Sequence, residues 1–292
     1  MNICLFTEEE INKPLDLKDE RAQHLIKVLH KKEGDTFTAG IIGGKAGTAR
    51  IEKIEAGSGA GAGTGAADGK RGTGAAGAIT FSFEPSSDGK LFNPVKMIIG
   101  FPRPIQLKRL LRDLAALGVY QVHLCGTDLG EKSYLQSTLV EKGNAYKMLL
   151  DGTVQAGSTH VSELYMYKTL DECLESVEKS GAEDSRKIIV GNVSPSSYTD
   201  KKIKLALDNV KPKCSLKEAI HTKKIFSDCD ASFCDYEVIA AIGSERGWTD
   251  RERELLQKKG YILCGMGPRI MRTETAATVA GAIILNETGA LK

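Results

Sequence analysis

The sequence predicts an α/β protein in two parts, a small β-rich domain followed by a larger domain built on a mostly parallel sheet. Three observations carry this expectation. The chain has 292 residues, long for one domain and comfortable for two. Its first 85 or so residues read as short strands rich in β-branched and aromatic side chains. After a turn-rich stretch at 86–94, strands alternate with amphipathic helices, the grammar of helices packed on a parallel sheet. The expected organisation is therefore residues 1–85, a linker at 86–94, and residues 95–292.

In the first part, ICLF, DTFTAGII, TARIEKIE and ITFSF read as strands. DERAQHLIKVLHKKEG reads as one helix, with Leu25, Val28 and Leu29 on one face and Gly34 as its stop. Residues 56–78 are Gly/Ala low complexity without apolar period, which cannot offset its ordering entropy by burial. A phosphate cradle needs a strand before it, a helix after it and fixed glycine spacing. Here an extended stretch comes next instead, so this run is expected to be a flexible surface loop.

In the second part, VKMIIGF is a buried strand. PIQLKRLLRDLAALG is an amphipathic helix with Leu107, Leu110, Leu111, Leu114 and Leu117 on one stripe. VYQVHLCG is a strand, 138–156 a long helix, TLDECLESVEK a helix and RKIIVGNV a strand. YEVIAAIGS is a strongly apolar strand. TDRERELLQKKG opens with a capping box, Thr249 with Glu252 three positions on. YILCGM is the last strand and RTETAATVAGAIILNE the last helix.

Bulk composition excludes little. Hydrophobic residues make up 41% and charged residues 27%, ordinary for a globular chain, and the net charge is +2, so any RNA contact has to come from a local basic surface. No apolar run approaches the length of a membrane span. The first residues, MNICLFTEEEINK, lack the basic start and apolar core of a signal peptide, so a cytoplasmic location is expected. The seven cysteines are irregularly spaced with no CxxC, which points to free thiols. Cys214, Cys229 and Cys234 cluster loosely, but no partner stands at finger spacing and no metal is expected. His123 lies in a strand and reads as a core residue, His160 and His221 have no partner that sequence names, and Tyr134, Tyr146 and Tyr198 are available for base stacking, although isolated tyrosines usually pack half-buried.

Ligands of open α/β sheets bind at the carboxyl ends of strands, and two strand ends here are loaded with suitable residues. In AIGSERGW, Gly243 and Gly247 permit close approach of backbone to a ligand, and Glu245 and Arg246 project from the loop. In MGPRIMRTET, Gly267 and Pro268 bend the chain directly after a strand. Arg269 and Arg272 come next, then Thr273, Glu274 and Thr275 at a helix start. Arg272 is placed to hold a phosphate or a developing oxyanion.

The wording of these two segments is specific. IGSERGWTDRE followed by GMGPRIMRTETAATVAGA resembles the paired signature IGPEGGFxxxE and LGPRILRTETAAxxA of the ribosomal RNA uridine-N3 methyltransferase (RsmE) family, a branch of the SPOUT superfamily. Residues 24–35 (HLIKVLHKKEGD) and the segment LKRLLRDLAALGV are similar to further family segments. NVSPSS, at 192–197, falls where the family often has a His-Pro turn.

The resemblance implies a SPOUT trefoil-knot methyltransferase domain preceded by a small PUA-like β-barrel that binds RNA. It implies S-adenosylmethionine as cofactor, held by Ile242, Gly243, Gly247, Gly265, Met266, Gly267, Ile270, Met271, Arg272, Thr273 and Thr275. It implies a homodimer through the catalytic domain. The implied reaction is methylation of N3 of a uridine in small-subunit (16S) ribosomal RNA, with the small ribosomal subunit as partner. Arg272 is then the expected stabiliser of the uracil anion, and Glu274 and Glu245 are candidate bases. Lys27, His30, Arg103, Lys108, Arg246 and Arg269 are candidate RNA contacts. The alternative is a non-catalytic or retargeted RNA-binding or ribosome-assembly factor that keeps the fold.

Departures from the pattern gather on the RNA side. The first strand has no basic residue before Lys13, and His30 replaces an Arg. The family's ERS is replaced around Gly126 to Ser133, and EQSGR reads VQAGSTH. In the cofactor loop Ser244 replaces Pro and Arg246 replaces Gly. Residues 198–236 read as an insertion. Two basic runs remain as the expected RNA surface. One comprises Lys96, Arg103, Lys108, Arg109 and Arg112; the other, 246–272, carries seven basic and three acidic side chains.

Overall fold

The structure, a computed structural model, describes residues 2–56, 77–136, 142–178, 187–189, 201–225 and 236–291. The chain divides into two compact units, Met1–Lys90 with Gly157–Thr159, and Leu91–Ala156 with His160–Lys292. The predicted loop at 56–78 falls almost wholly outside the described residues.

The first unit is a five-stranded sheet. Its strands are β1 (Cys4–Phe6), β2 (Leu15–Asp16), β3 (Thr36–Ile41), β4 (Ala46–Glu55) and β5 (Ala78–Ser87), in the order β1-β3-β4-β5-β2. Alternation along β3 and β4 turns Phe37, Ala39, Ala49 and Ile51 inward, where they meet Phe6, Leu15, Leu25 and Ile79. β5 continues through Pro85 to Ser87 and β6 begins at Asn93, so the stretch expected to be linker is strand at both ends and irregular only over 88–92. Pro85 is tolerated because β2 covers only Ile79 and Ala78, which leaves β5 an edge strand at the proline.

The helix expected over 19–34 is cut short. α1 spans Glu20–Gln23, with the Asp19 side chain accepting from the Arg21 N–H. A π-turn, His24–Val28, comes next, in which the Leu29 N–H reaches back five residues to the His24 carbonyl. The extra residue rotates the succeeding positions off the apolar face. Leu25 is buried, but Val28 and Leu29 are 59% and 44% exposed rather than on its face. His30 then takes φ +52°, in the left-handed region.

The second unit is an eight-stranded sheet. Its elements, in chain order, are β6 (Asn93–Gly100), α2 (Pro104–Ala116), β7 (Val119–Cys125), α3 (Lys142–Ala156), β8 (Glu163–Tyr167), α4 (Leu170–Glu178), β9 (Lys187–Ile189), β10 (Lys202–Leu207), β11 (Cys214–Ser215), α5 (Leu216–Ile225), β12 (Glu237–Ile242), α6 (Asp250–Lys258), β13 (Ile262–Gly265) and α7 (Thr273–Thr288). The strand order is β11-β13-β10-β12-β6-β7-β8-β9, and every pairing is parallel except β8 with β9. The apolar runs of β6 and β12 are buried along almost their full length, as strands covered on both faces must be. Leu107, Leu110, Leu111 and Leu114 of the expected stripe are buried on α2, Leu117 is half-buried at its C-cap, and Pro104 opens the helix. The Ala/Gly face of α7 lies against α2 and β6, with Gly281 close to Leu117 and Met97.

One expectation is overturned here. Residues 198–236 are not an insertion, since they contain β10, which sits in the sheet between β12 and β13, and then β11 and α5. The alternation KIKLAL satisfies a central strand, and reading the segment as extra chain hid it. NVSPSS, Cys229 and Cys234 lie outside the described residues. No helix among the described residues is long and apolar enough to cross a membrane.

Candidate active site

Three neighbouring strands deliver three turns to one edge of the sheet. β10 pairs in parallel with β12, Leu207 opposite Ile242, and with β13, Leu207 opposite Cys264, so the strands end level. The turns beyond them, at 208–213, 243–249 and 266–272, enclose a cleft of about 260 Å³. This is where a parallel sheet offers backbone groups to a ligand.

Each turn has a local cause. Gly247 has φ +72° and donates its N–H to the Ser244 carbonyl at 2.9 Å, closing the 243–247 loop on itself. Gly267, at φ +101°, turns the chain away from β13. The Thr273 hydroxyl donates to the Gly243 carbonyl at 3.4 Å, which ties the start of α7 to the first loop. Trp248 is buried and donates Nε1–H to the Leu207 carbonyl at 2.9 Å.

Behind the cleft, α6 anchors the loops. Thr249 and Glu252 form the predicted capping box. Glu252 is fully buried and also accepts the Asp128 N–H at 2.8 Å, from the loop after β7. Asp128 in turn accepts from Thr249 Oγ1 and from Arg251. The Arg251 guanidinium beside it holds the Asp128 carboxyl below the usual range. The Thr127 hydroxyl donates to Ser244 Oγ at 2.9 Å. Two departures from the family pattern, Ser244 for Pro and the altered loop after β7, are thus bonding partners. A proline could not supply that hydroxyl.

Of the residues named from sequence, Ile242, Gly243, Gly247, Gly265, Met266, Gly267, Ile270, Met271 and Thr273 line the cleft, with Glu245, Arg246 and Arg269. Arg272, Glu274 and Thr275 are not among the lining residues. Arg272 is exposed at the N-cap of α7, next to Met271 and Thr273. Glu274 is only 4% exposed, so the fold holds this candidate base among packed side chains rather than at the cleft. Glu245 accepts the Arg103 N–H at 3.1 Å and has Arg103 Nε at 3.7 Å, so its carboxylate serves the start of α2. Sequence reading missed Leu207, Asp208, Asn209, Val210 and Cys264 as lining residues, along with Ala276. The signal was present in LDNVKP, a turn sequence directly after an alternating strand.

Pairing trims the two basic runs. Lys96 is buried in an ion pair with Glu237 at 2.8 Å and leaves the candidate RNA surface. Arg251 is committed to Asp128 and Asp171, Arg253 to Asp208 and Asp250, and Lys259 to Glu178. Arg246, Arg269 and Arg272 are exposed and, among the described residues, form no ion pair. Three arginines with uncommitted charge therefore stand at or beside the cleft, and Ile270 between two of them is 81% exposed. Arg103 is exposed at the N-cap of α2 beside Glu245, Lys108 is exposed on α2, and Lys27 and His30 are exposed on the first unit.

Comparison with known proteins agrees with this geometry. A family model described as an RNA methyltransferase domain matches residues 90–285. The ribosomal RNA small subunit methyltransferase E of Treponema pallidum is 35% identical over 297 residues, spanning 100% of this chain and 93% of that protein. Ribosomal RNA small subunit methyltransferase E 1 of Borreliella burgdorferi is 28% identical, spanning 97% of each. Among solved structures, a probable rRNA-methyltransferase from Porphyromonas gingivalis aligns over 100% of both chains with TM-score 0.63 and 16% identity. A ribosomal RNA small subunit methyltransferase E from Neisseria gonorrhoeae, bound to S-adenosyl methionine, aligns over 98% of this chain and 97% of that one, with TM-score 0.60 and 18% identity. At such identities these two structures establish the fold alone.

Proposed function

The chain belongs to the ribosomal RNA small subunit methyltransferase E family of RNA methyltransferases, and from that premise we propose that it methylates N3 of a uridine in small-subunit ribosomal RNA, with S-adenosylmethionine as the methyl donor. The observation that carries the reading is the cleft at the ends of β10, β12 and β13, lined by nine of the residues that the family signature marks for the cofactor.

The lining suits that cofactor. Gly243, Gly247, Gly265 and Gly267 line the cleft, a Cβ at Gly267 would meet nothing within 4 Å, and Leu207, Ile242, Met266 and Met271 supply apolar walls. Peptide N–H and C=O groups can read a purine edge without side chains. When bound, S-adenosylmethionine supplies an electrophilic methyl group, and methyl transfer then needs chiefly in-line positioning.

The chain's own contribution is electrostatic. N3 of uracil becomes nucleophilic when it loses its proton, here to solvent water, and the resulting charge spreads over O2 and O4. A cation beside the ring favours that anion and lowers the pKa of N3. Arg272 is the candidate for this role, supported by its exposure next to the lining residues Met271 and Thr273 and by its lying outside any ion pair among the described residues. Glu274 is closed off, and Glu245 holds the start of α2. Arginine carries the chemistry, and these two carboxylates carry structure. Arg246 and Arg269, with Arg103 and Lys108, offer phosphate contacts, and Lys27 and His30 offer them on the first unit.

The same reading extends to architecture. β13 lies between β10 and β11, strands joined by a turn of only six residues, 208–213. The chain leaving β13 passes so close to that turn that a Cβ at Gly265 would sit 3.2 Å from Pro212. That crossing supports a trefoil knot at the cofactor cleft. The first unit, a curled five-stranded sheet, is read as the PUA-like RNA-binding domain, and the catalytic units as a homodimer acting in the cytoplasm.

Two measurements test the function. Calorimetry with S-adenosylmethionine should show binding, and none would end the methyltransferase reading. Mass mapping of ribosomal RNA from a knockout should show one uridine lacking its methyl group. A complete set of modified uridines would favour a non-catalytic assembly factor instead.

A further inference from the structure

The turn after β10 is held from more directions than a surface turn requires. The Asp208 N–H donates to the Cys264 carbonyl at 2.9 Å, and Trp248 fixes the Leu207 carbonyl from the other side. The Asp208 carboxylate accepts the N–H groups of Val210 and Lys211, at 3.1 and 3.2 Å. It also receives Arg253 Nε at 2.7 Å and Nη2 at 3.1 Å, a two-pronged pair. The Asp208 side chain is 0% exposed and that of Arg253 9%. Asp250 closes the network, taking Arg253 Nη1 at 3.0 Å and Lys211 Nζ at 2.8 Å. The element this network holds still is the 207–210 wall of the cleft, to which Asn209 and Val210 contribute from the exposed turn. Asn209 Oδ1 lies 3.8 Å from where a Cβ on Gly247 would stand. Among the described residues its amide makes no hydrogen bond.

We propose that Asp208 and Arg253 are positioning residues for the cofactor, and that the turn they hold presents the Asn209 amide across the cleft from Gly247 as a hydrogen-bonding group for the bound molecule. The proposal rests on the methyltransferase reading. A site residue is only as well placed as the groups behind it. Arg253 touches no ligand itself. It acts through Asp208, whose carboxylate shapes the turn.

The experiment uses the full-length protein, with calorimetric affinity for S-adenosylmethionine, steady-state transfer kinetics and melting without ligand. Asn209→Ala should weaken binding by roughly threefold to tenfold with an unchanged melting temperature, the scale of one hydrogen bond. Arg253→Met should raise the Kd and the KM for cofactor by about tenfold, with kcat at saturating cofactor within about twofold of wild type. Arg253→Lys should recover part of the loss. Where Arg253→Met fails to fold, Asp208→Asn, which keeps an acceptor for the turn but drops the charge, gives the same comparison. An Arg253→Met protein that melts earlier yet binds cofactor like wild type overturns the proposal, as does an Asn209→Ala protein with wild-type affinity. If the wild-type protein itself binds no S-adenosylmethionine, the methyltransferase reading fails, and this proposal fails with it.

Discussion

Gly100 ends β6 directly beneath the 243–247 loop, and replacing it with alanine tests whether that loop's position sets cofactor affinity. A Cβ at Gly100 would lie 2.4 Å from Ser244 N, 2.8 Å from Gly243 C and 2.9 Å from Thr127 Cγ2. Ordinary carbon contacts are about 3.5–4.0 Å, so something must retreat by roughly 1 Å. The two shortest contacts are to backbone, so a change of rotamer cannot relieve them. β6 cannot retreat either, since Ile98 and Ile99 are fully buried and the strand is paired on both sides. The loop moves instead. Overpacking of this kind costs about 1–3 kcal/mol, and a displacement near 1 Å at a site can cost about a hundredfold in function. Gly100→Ala should therefore bind S-adenosylmethionine tens of times more weakly, and melt several degrees lower. Gly143→Ala is the control, because a Cβ there meets nothing within 4 Å. Calorimetry and thermal melts read both variants. Wild-type cofactor affinity in Gly100→Ala would refute the argument that the loop's seat on β6 sets the cleft.

Arg272→Ala should abolish methyl transfer at saturating cofactor while cofactor affinity stays within about threefold of wild type, as expected when a group acts on the transition state; normal turnover would remove Arg272 from the chemistry. Thr249→Ala removes a cap that accepts the Glu252 N–H and donates to Asp128, at a cost of about 1 kcal/mol, whereas Thr249→Ser should melt like wild type. In the first unit, hydrogen bonds from Arg21 hold the Glu10 and Asp19 carboxyls below their usual range. Groups with depressed folded pKa values stabilise above the unfolded pKa, and that stability is lost as pH falls through the folded value. The melting difference between wild type and Arg21→Met should thus shrink as pH falls from about 7 to about 3, past the ordinary carboxylate range, and a pH-independent difference would count against the pairing.

Much of this protein is legible along the chain. Leucines at helical spacing marked α2, and a Thr-x-x-Glu cap marked α6. Apolar runs marked β6 and β12, and two short motifs contained glycines that line the cleft at the strand ends. Local signals sufficed there because each feature depends on residues near it in sequence. The failures have a shared origin. A helix was expected through Val28 and Leu29, but one extra residue in a π-turn moved both off the apolar face. β10 was mistaken for inserted chain because a central strand is certified only by its neighbours, and those neighbours come from 237–242 and 262–265. The basic runs looked uniform, yet Lys96 is buried against Glu237 and Arg253 against Asp208, so only some of their charge faces solvent.

The C-terminal motif shows the division most clearly. By itself, the sequence from Gly267 onward determined a bend after a strand and a helix behind it, because glycine, proline and an Ala-rich helix impose those shapes locally. Only the tertiary structure decided that the cleft has a third wall at 207–210. It likewise decided that Glu274 is shut away while Arg272 is not, and that Ser244 bonds to Thr127 more than a hundred residues earlier. Such facts depend on which strand ends become neighbours. That is settled by the parallel pairing of β10, β12 and β13, an interaction between segments distant in sequence that no local pattern records.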